Sequence, residues 1–549
     1  MLKIIPLGGL GEIGLNMMVF EYKDTIFIID AGLMFPEDYM LGIDYVIPDM
    51  EYLKEVKDKI SGIILTHAHE DHIGALPHLL RKINAPVFST PFTLEMVKRK
   101  IEDSGISLPD IFHPISLNES LRFGVFEIEF IRVAHSVVDG IGLAIRTPEG
   151  LIVHTGDFKI SQTFANGLET DISRFAQLGR EGVLALLSDS TNVEKEGYTL
   201  SDSKIGETLS RIAANASGRM IIAVFASSII RIQQIVDIAV KYGRKIVFNG
   251  RSMENSVEIA RQLGYLRIPE NLEIKISQVR NFSDKDVLII TTGSQGEPMS
   301  ALARMADGTH KQIRIQTNDT VVLSSRFIPG NEKAIATIIN SLYRQGADVI
   351  YEKISDIHVS GHASREELKL MINLTKPKHF IPIHGEYRHL VLHARLAKQI
   401  GVKSENTILI ENGQVLVFDE KGGRIEGSIS TGRVLVDGKG IGDVGYSVLR
   451  ERRVLAEDGF VFVALAFDEE TGVMIHGPEI ISKGFVFETE TGYLLEDAQC
   501  VILEIVEEIQ PEVPQRLDKI RSKMLTALRQ YFFFTIGRRP VILPFIIEV

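Results

Sequence analysis

The stretch Leu65 to Leu76, LTHAHEDHIGAL, sets three histidines and an aspartate within six positions, directly behind the apolar run Ile63-Ile64-Leu65. A solvated loop accounts for one isolated histidine. It does not account for H-x-H-x-D-H at the C-terminal end of a strand, with the helix-like segment Gly74 to Leu80 behind it. Neutral imidazoles and carboxylates suit zinc and similar divalent ions. Alternation along an extended loop points His67 and His69 the same way. Asp71 and His72, adjacent at a helix start, turn toward a second ion. These four are the first candidate metal ligands and candidate catalytic residues.

A two-metal site needs more ligands, and the chain offers them in the same kind of place. His135 follows the apolar run Phe130 to Ala134, Asp157 lies in the loop after Leu151 to His154, and His384 follows Phe380 to Ile383. Asp157 is suited to bridge two ions, because a carboxylate has two oxygens. Asp30, closing Phe27 to Asp30, is placed to anchor a ligand imidazole. His78 and His154 read as structural. His113, His310, His379, His389, His393 and His476 show no partner pattern.

Gly9-Leu-Gly11-Glu-Ile-Gly14 matches G-x-G-x-x-G after a strand, but a dinucleotide site needs a helix after the third glycine. Met17 to Phe20 and Ile26 to Ile29, around the Lys23-Asp24 turn, read as a hairpin instead. The glycines are therefore expected to serve tight turns and close backbone approach.

At 549 residues the chain exceeds one ordinary core, so three or four domains are expected. No stretch of about eighteen apolar residues occurs. No basic segment runs into an apolar one near Met1. The single cysteine, Cys500, excludes an internal disulfide framework and a thiolate zinc cluster. A cytoplasmic protein is the expectation. The net charge of −12 cuts against a surface that grips nucleic acid all over. A polyanionic substrate would need a path lined by local positive charge or metal.

From about 200 to 360, strands and helices alternate regularly: helix Ser203 to Ala216, strand Met220 to Phe225, helix Ile230 to Tyr242, strand Lys245 to Phe248. The rhythm continues through Val287 to Thr291, Val321 to Ser324, helix Glu332 to Tyr343 and strand Asp348 to Tyr351. Such alternation predicts a parallel sheet covered by helices, inserted before the strand that ends on His384. Lys421 to Gly445 reads as a linker or a set of hairpins. Beyond it come strand-like runs at Phe460 to Phe467 and Gly484 to Phe487, helices Leu494 to Ile509 and Val513 to Tyr531, and a strand Pro540 to Ile547.

The ordered set of Asp30, H-x-H-x-D-H, His135, Asp157 and His384 resembles the motifs of the metallo-β-lactamase superfamily. The insertion between Asp157 and His384 resembles the β-CASP branch, which acts on nucleic acids. Ser188-Asp-Ser-Thr-Asn192 is similar to its acidic motif A, carried by Asp189. Val359-Ser-Gly-His-Ala-Ser364 is similar to its motif B, carried by His362, with His358 nearby and ambiguous. Pro382-Ile-His-Gly-Glu386 is similar to its motif C. Asp30-Ala-Gly-Leu-Met-Phe-Pro-Glu-Asp38 with Leu41 to Asp49 resembles the bacterial ribonuclease J family, over essentially the whole chain.

That resemblance implies an α/β fold: a metallo-β-lactamase αββα sandwich over 1–200 and 363–425, a β-CASP α/β domain over 201–362, a linker over 426–450, and a small α+β oligomerisation domain over 451–549. It implies two divalent ions, zinc first, with manganese or magnesium as alternatives. His67, His69 and His135 would hold one, and Asp71, His72 and His384 the other, with Asp157 between them. Asp189 and His362 join the catalytic residues. Ser227, Ser228, Ser360 and His362 would hold a 5′-phosphate at a helix start, although the family often carries Asn in place of Ser228; capping of that helix is the structural reading of the same serines. Phe35 resembles the family's base-stacking aromatic near His69. The backbone loops Thr292 to Pro298 and Pro329 to Asn331 lie near the implied RNA path, where ordinary turns explain them equally well. The implied activity is hydrolysis of RNA, 5′-to-3′ from 5′-monophosphorylated ends and also internally, in RNA decay and maturation, by a homodimer or homotetramer with RNA-decay partners. A metal hydrolase of small esters or thioesters, and a decay-assembly scaffold, are the alternatives.

Overall fold

A computed structural model describes residues 1–106, 110–160, 169–294, 299–325, 331–352, 354, 357, 359–486 and 493–549. The expectations for 295–298, 329–330, His358 and Phe487 fall outside these residues. The chain forms two compact units, Met1–Phe35 with Tyr45–Val434, and Pro36–Asp44 with Leu435–Val549.

The first unit contains two sheets packed face to face. One has eight strands, running from Gly422–Ser428 through Leu2–Gly8, Met17–Tyr22, Thr25–Ile29 and Ile60–Ile64 to Phe112–Pro114. The other has six, with His379–Ile383, Val183–Asp189, Gly150–His154, Ile141–Thr147, Phe126–Arg132 and Ser120–Phe123 in that order. Alternation along each strand explains the layers. Phe126, Ile128 and Phe130 join Phe20, Phe27 and Ile64 in the core between the sheets. Ile131 and Val133 belong instead to the outer core with Phe175, Leu178, Leu368 and Met371, which the helices Ile172–Glu181 and Arg365–Thr375 supply. The αββα arrangement follows. The glycine-rich N-terminal motif leads into the antiparallel pair Met17–Tyr22 and Thr25–Ile29.

The inserted domain is a five-stranded sheet in the order Lys245–Asn249, Val287–Thr291, Met220–Ala223, Thr320–Leu323, Asp348–Ile350. Every neighbouring pair is parallel. Its central strands are apolar on both faces, as expected where helices cover both sides. Arg219 is buried beneath it and held by Asp319 through two hydrogen bonds, 2.9 Å and 2.6 Å. Asp319→Ala would leave that buried guanidinium only the exposed Asp284 at 4.0 Å, and is expected to cost roughly 3 kcal/mol of stability, read as a loss in denaturant midpoint. A change within 0.5 kcal/mol, the scale of an ordinary surface substitution, would show the pair to be dispensable.

Of the two readings of Lys421 to Gly445, the chain adopts the hairpins, so the linker over 426–450 is corrected. Gln414–Asp419 and Gly422–Ser428 form a hairpin, Val436 pairs with Ile441, and a helix runs from Tyr446 to Asp458. Gly422, Gly427 and Gly438 adopt positive φ at the bends, so they build turns rather than a loose tether. The helix buries only Leu449, so it carries little apolar periodicity to read. In the second unit Phe460–Phe467 pairs with Met474–Lys483, and Gly484, Phe485 and Val486 of the expected strand-like run lie beyond the end of that strand. The Gly477-Pro478 pair inside it disguises the run. Val541–Glu548 completes this sheet, and helices Leu494–Glu508 and Arg516–Ile536 supply its core.

Candidate metal centre

Five strands end at one place. Ile60–Ile64 leads into His67 and His69, Phe126–Arg132 into His135, Gly150–His154 into Asp157, Val183–Asp189 closes on Asp189, and His379–Ile383 leads into His384. The helix Glu70–Ile73 begins inside the opening motif, which places Asp71 and His72 on its first turn. Asp30 and His384 both take positive φ, at 63° and 52°. Each turns its side chain out of a strand that would otherwise carry it past the site.

Ligand atoms of His67, His69, His135 and Asp157 lie within 4.8 Å of one another, as do those of Asp71, His72 and His384. His67 Nε2 and His135 Nε2 stand 3.0 Å and 3.1 Å from His69 Nδ1. Asp157 sits between the groups. Its Oδ2 is 3.6 Å from His67 Nε2, 3.7 Å from His135 Nε2 and 3.3 Å from His72 Nε2, and its Oδ1 is 2.9 Å from His384 Nδ1. His384 Nε2 lies 3.3 Å from Asp71 Oδ2.

Burial pushes the His67 and His135 imidazoles well below the ordinary histidine range, and lowers His69 to about 4. All three are therefore neutral, the form that binds a metal. Burial also acts downward on His72, but Asp157, Asp30 and Asp71 outweigh it and carry this group up to about 10. His384 is likewise raised against its burial by Asp157. The pocket thus concentrates negative charge and draws protons onto whichever imidazoles can take them. Asp157 Oδ2 and His384 Nε2 are buried without a hydrogen-bond partner. Unsatisfied oxygen and nitrogen atoms, converging on a carboxylate-rich hollow, fit divalent cations.

A shell of fixed contacts orients this set. Asp30 accepts from the Thr66 amide at 2.7 Å and contacts His72 Nδ1 at 2.7 Å, leaving Nε2 to face inward. His135 Nδ1 lies 2.7 Å from the Gly361 carbonyl, with the same consequence for its Nε2. Gly361 has no substitute here, because a Cβ would stand 2.5 Å from His135 Cε1. Gly32 is similarly constrained by the Asp71 carbonyl, 1.6 Å from where its Cβ would be. His154, read as structural, accepts from the Gly156 amide at 3.1 Å and shapes the loop before Asp157. Thr66, Gly361 and Asn16, whose amide side chain donates to the Asp71 carbonyl at 3.1 Å, were not among the expected residues. Thr66 and Gly361 stand inside the quoted motifs; Asn16 carries no signal in the sequence.

His362 Nδ1 lies 2.8 Å from Asp189 Oδ2 and 3.8 Å from Asp157 Oδ2, so motifs A and B meet at the cluster. Burial lowers His362 but Asp189 and Asp157 raise it overall. The Ser360 hydroxyl accepts from the His362 amide at 3.1 Å. Ser227 and Ser228 are half-buried at the start of the helix Ile229–Tyr242, where Ser228 takes the N-cap position without a side-chain capping bond. Phe35 is 65% exposed.

Four family models match the chain: the metallo-β-lactamase superfamily over residues 10–183, the ribonuclease J β-CASP domain over 217–342, a zinc-dependent metallo-hydrolase RNA specificity domain over 346–409, and the ribonuclease J C-terminal domain over 447–549. Among curated relatives, Ribonuclease J 1 of Streptococcus pyogenes is 42% identical over 99% of this chain and 97% of its own. Ribonuclease J2 of Bacillus subtilis is 42% identical over 100% of this chain and 98% of its own. Ribonuclease J 2 of Staphylococcus aureus is also 42% identical, over 100% and 98%. A crystal structure of a protein of unknown function from Enterococcus faecalis, 17% identical, superposes with a TM-score of 0.53 over 75% of this chain and 99% of its own, and shares the fold.

Proposed function

The chain belongs to the ribonuclease J family, and we propose that, as a metal-dependent ribonuclease, it hydrolyses RNA phosphodiesters 5′-to-3′ from 5′-monophosphorylated ends and also cleaves internally. The observation that carries this reading is the convergence of His67, His69, His135, Asp71, His72 and His384 around the Asp157 carboxylate. His67, His69 and His135 would hold one ion and Asp71, His72 and His384 the other, with Asp157 shared. Zinc suits this donor set best. When bound, two such ions activate a water and neutralise charge growing on the scissile phosphate.

The chain's own groups do the rest. Asp189 fixes one nitrogen of His362 and favours its cationic form. The other nitrogen is then available to donate a proton to the leaving 3′-oxygen, so that cleavage leaves a 3′-hydroxyl and a 5′-phosphate. The start of the helix Ile229–Tyr242, with Ser227 and the uncapped Ser228 hydroxyl, offers N–H groups and a favourable dipole to a terminal phosphate, and Ser360 and His362 are the further groups this reading assigns to it. Phe35, with most of its ring in solvent, is available to stack on a base.

The test compares 5′-monophosphorylated, 5′-hydroxyl and circular RNA. Fast stepwise degradation is expected only for the first, with slow internal cuts in the others. Equal rates on all three would reject the phosphate-anchored exonuclease. A role in RNA decay and maturation in the cytoplasm goes with this substrate, and no helix among the described residues is long and apolar enough to cross a membrane. Assembly into a homodimer or homotetramer is supported by the open face of the C-terminal sheet. There Phe462 stands level with Ile481 and Leu543, beside the exposed Phe545 and Ile547.

A further inference from the structure

One buried carboxylate outside the metal centre has more partners than a helix cap requires. Glu367 is fully buried in the first turn of the helix Arg365–Thr375. It completes a capping box by accepting from the Ser364 amide at 2.8 Å. The same carboxylate also accepts from the Thr199 amide at 2.9 Å, from the Thr199 hydroxyl, and from the Ile160 amide at 2.8 Å. These donors come from three different segments. Ile160 lies three residues beyond Asp157. Thr199 stands where the chain passes into the inserted domain, and Ser364 where it returns, two residues after His362. Around them the Asn192 side chain donates to the His362 carbonyl at 3.3 Å, and the Thr199 hydroxyl oxygen, whose proton goes to Glu367, lies 3.3 Å from the same carbonyl. From the other side Lys159, which donates to Asp202 at 2.6 Å, ties the same segment to the inserted domain, and Asp202 in turn accepts from Arg231 at 3.0 Å.

We propose that Glu367 is a positioning residue for the hydrolysis: its carboxylate clamps both crossings between the sandwich and the inserted domain onto the segment that follows Asp157, and thereby sets where His362 stands over the metal centre. This rests on the ribonuclease reading of that centre. A carboxylate is required because every group facing it is a donor. An amide would turn an N–H against one of these donors and force the segments apart. A displacement of about 1 Å at a reacting group costs on the order of a hundredfold in rate.

The test uses the full-length, metal-loaded chain. Glu367→Gln is expected to lower kcat about a hundredfold on 5′-monophosphorylated and 5′-hydroxyl RNA alike, with KM and bound metal per chain unchanged. Thr199→Val keeps the side-chain shape and removes one donor to Glu367. It is expected to lower kcat about tenfold, and it decides the matter should Glu367→Gln fail to fold. Leu209→Ala, a core truncation in the helix Asp202–Asn215, controls for lost stability and should leave kcat at 25 °C as in the parent. Unchanged kcat in Thr199→Val, a loss explained entirely by missing metal, or an equal slowing in Leu209→Ala would overturn the proposal. A parent chain inert on every RNA would instead strike the ribonuclease reading beneath it.

Discussion

The double variant His67→Ala, Asp71→Ala will stop cleaving RNA. Each substitution takes a ligand from a different half of the cluster, so neither ion keeps a complete set. Activation of water and charge neutralisation at phosphorus together supply several kcal/mol; losing roughly 5–6 kcal/mol of transition-state stabilisation lowers the rate by about four orders of magnitude. The fold should survive. Asp71 is half-exposed at its side chain, and the backbone carbonyl that Asn16 binds remains. The packing between the sheets is made by residues such as Phe20, Phe27 and Ile128 rather than by the ligands. Single-turnover cleavage beside circular dichroism checks this. A variant that still cuts at a tenth of the parent rate would remove the cluster from the mechanism.

Stripping the metal should also weaken the first unit while sparing the second. Ions held only by the folded chain stabilise it by mass action, about 4 kcal/mol for each ion present at a thousand times its dissociation constant. Without them the buried Asp157 and Asp189 carboxylates face imidazoles crowded within 4 Å. A strong chelator is therefore expected to lower the melting transition of the Met1–Phe35 and Tyr45–Val434 unit by roughly 5–10 °C. The transition of the C-terminal unit, which contributes no candidate ligand among the described residues, should stay in place. Calorimetry before and after chelation reads both. Restoring zinc, manganese or magnesium one at a time, and following cleavage alongside melting, then identifies the ion that serves the reaction. If the first transition does not move, these side chains hold no tightly bound metal.

Much of the candidate centre was open to reading because its proposed ligands obey a local rule: an apolar strand ends, and the next few residues carry His or Asp. His67, His135, Asp157 and His384 each announce themselves in this way within ten residues of sequence. The inserted sheet was equally open to reading, because buried parallel strands are short runs of Val, Ile and Leu separated by helices of 3.6-residue period. The helix Tyr446–Asp458 was not, since it buries a single leucine, and neither was the strand Met474–Lys483, broken in pattern by Gly477-Pro478. Asn16 and Glu367 show why the remaining site residues stayed hidden. Their partners lie 55 and 168 positions away, respectively. No periodicity connects such pairs.

By itself, then, the order of residues determined the inserted parallel sheet and the set of His and Asp candidates at strand ends, because each rests on patterns shorter than one strand or helix; the layered sandwich entered only through the family resemblance. Only the tertiary structure decided which imidazole nitrogen faces the hollow, that Asp189 hydrogen-bonds His362, and that one glutamate joins both crossings. Those relations are set by the packing of two sheets against each other, which brings distant strand ends to a common edge and leaves no trace in the spacing along the chain.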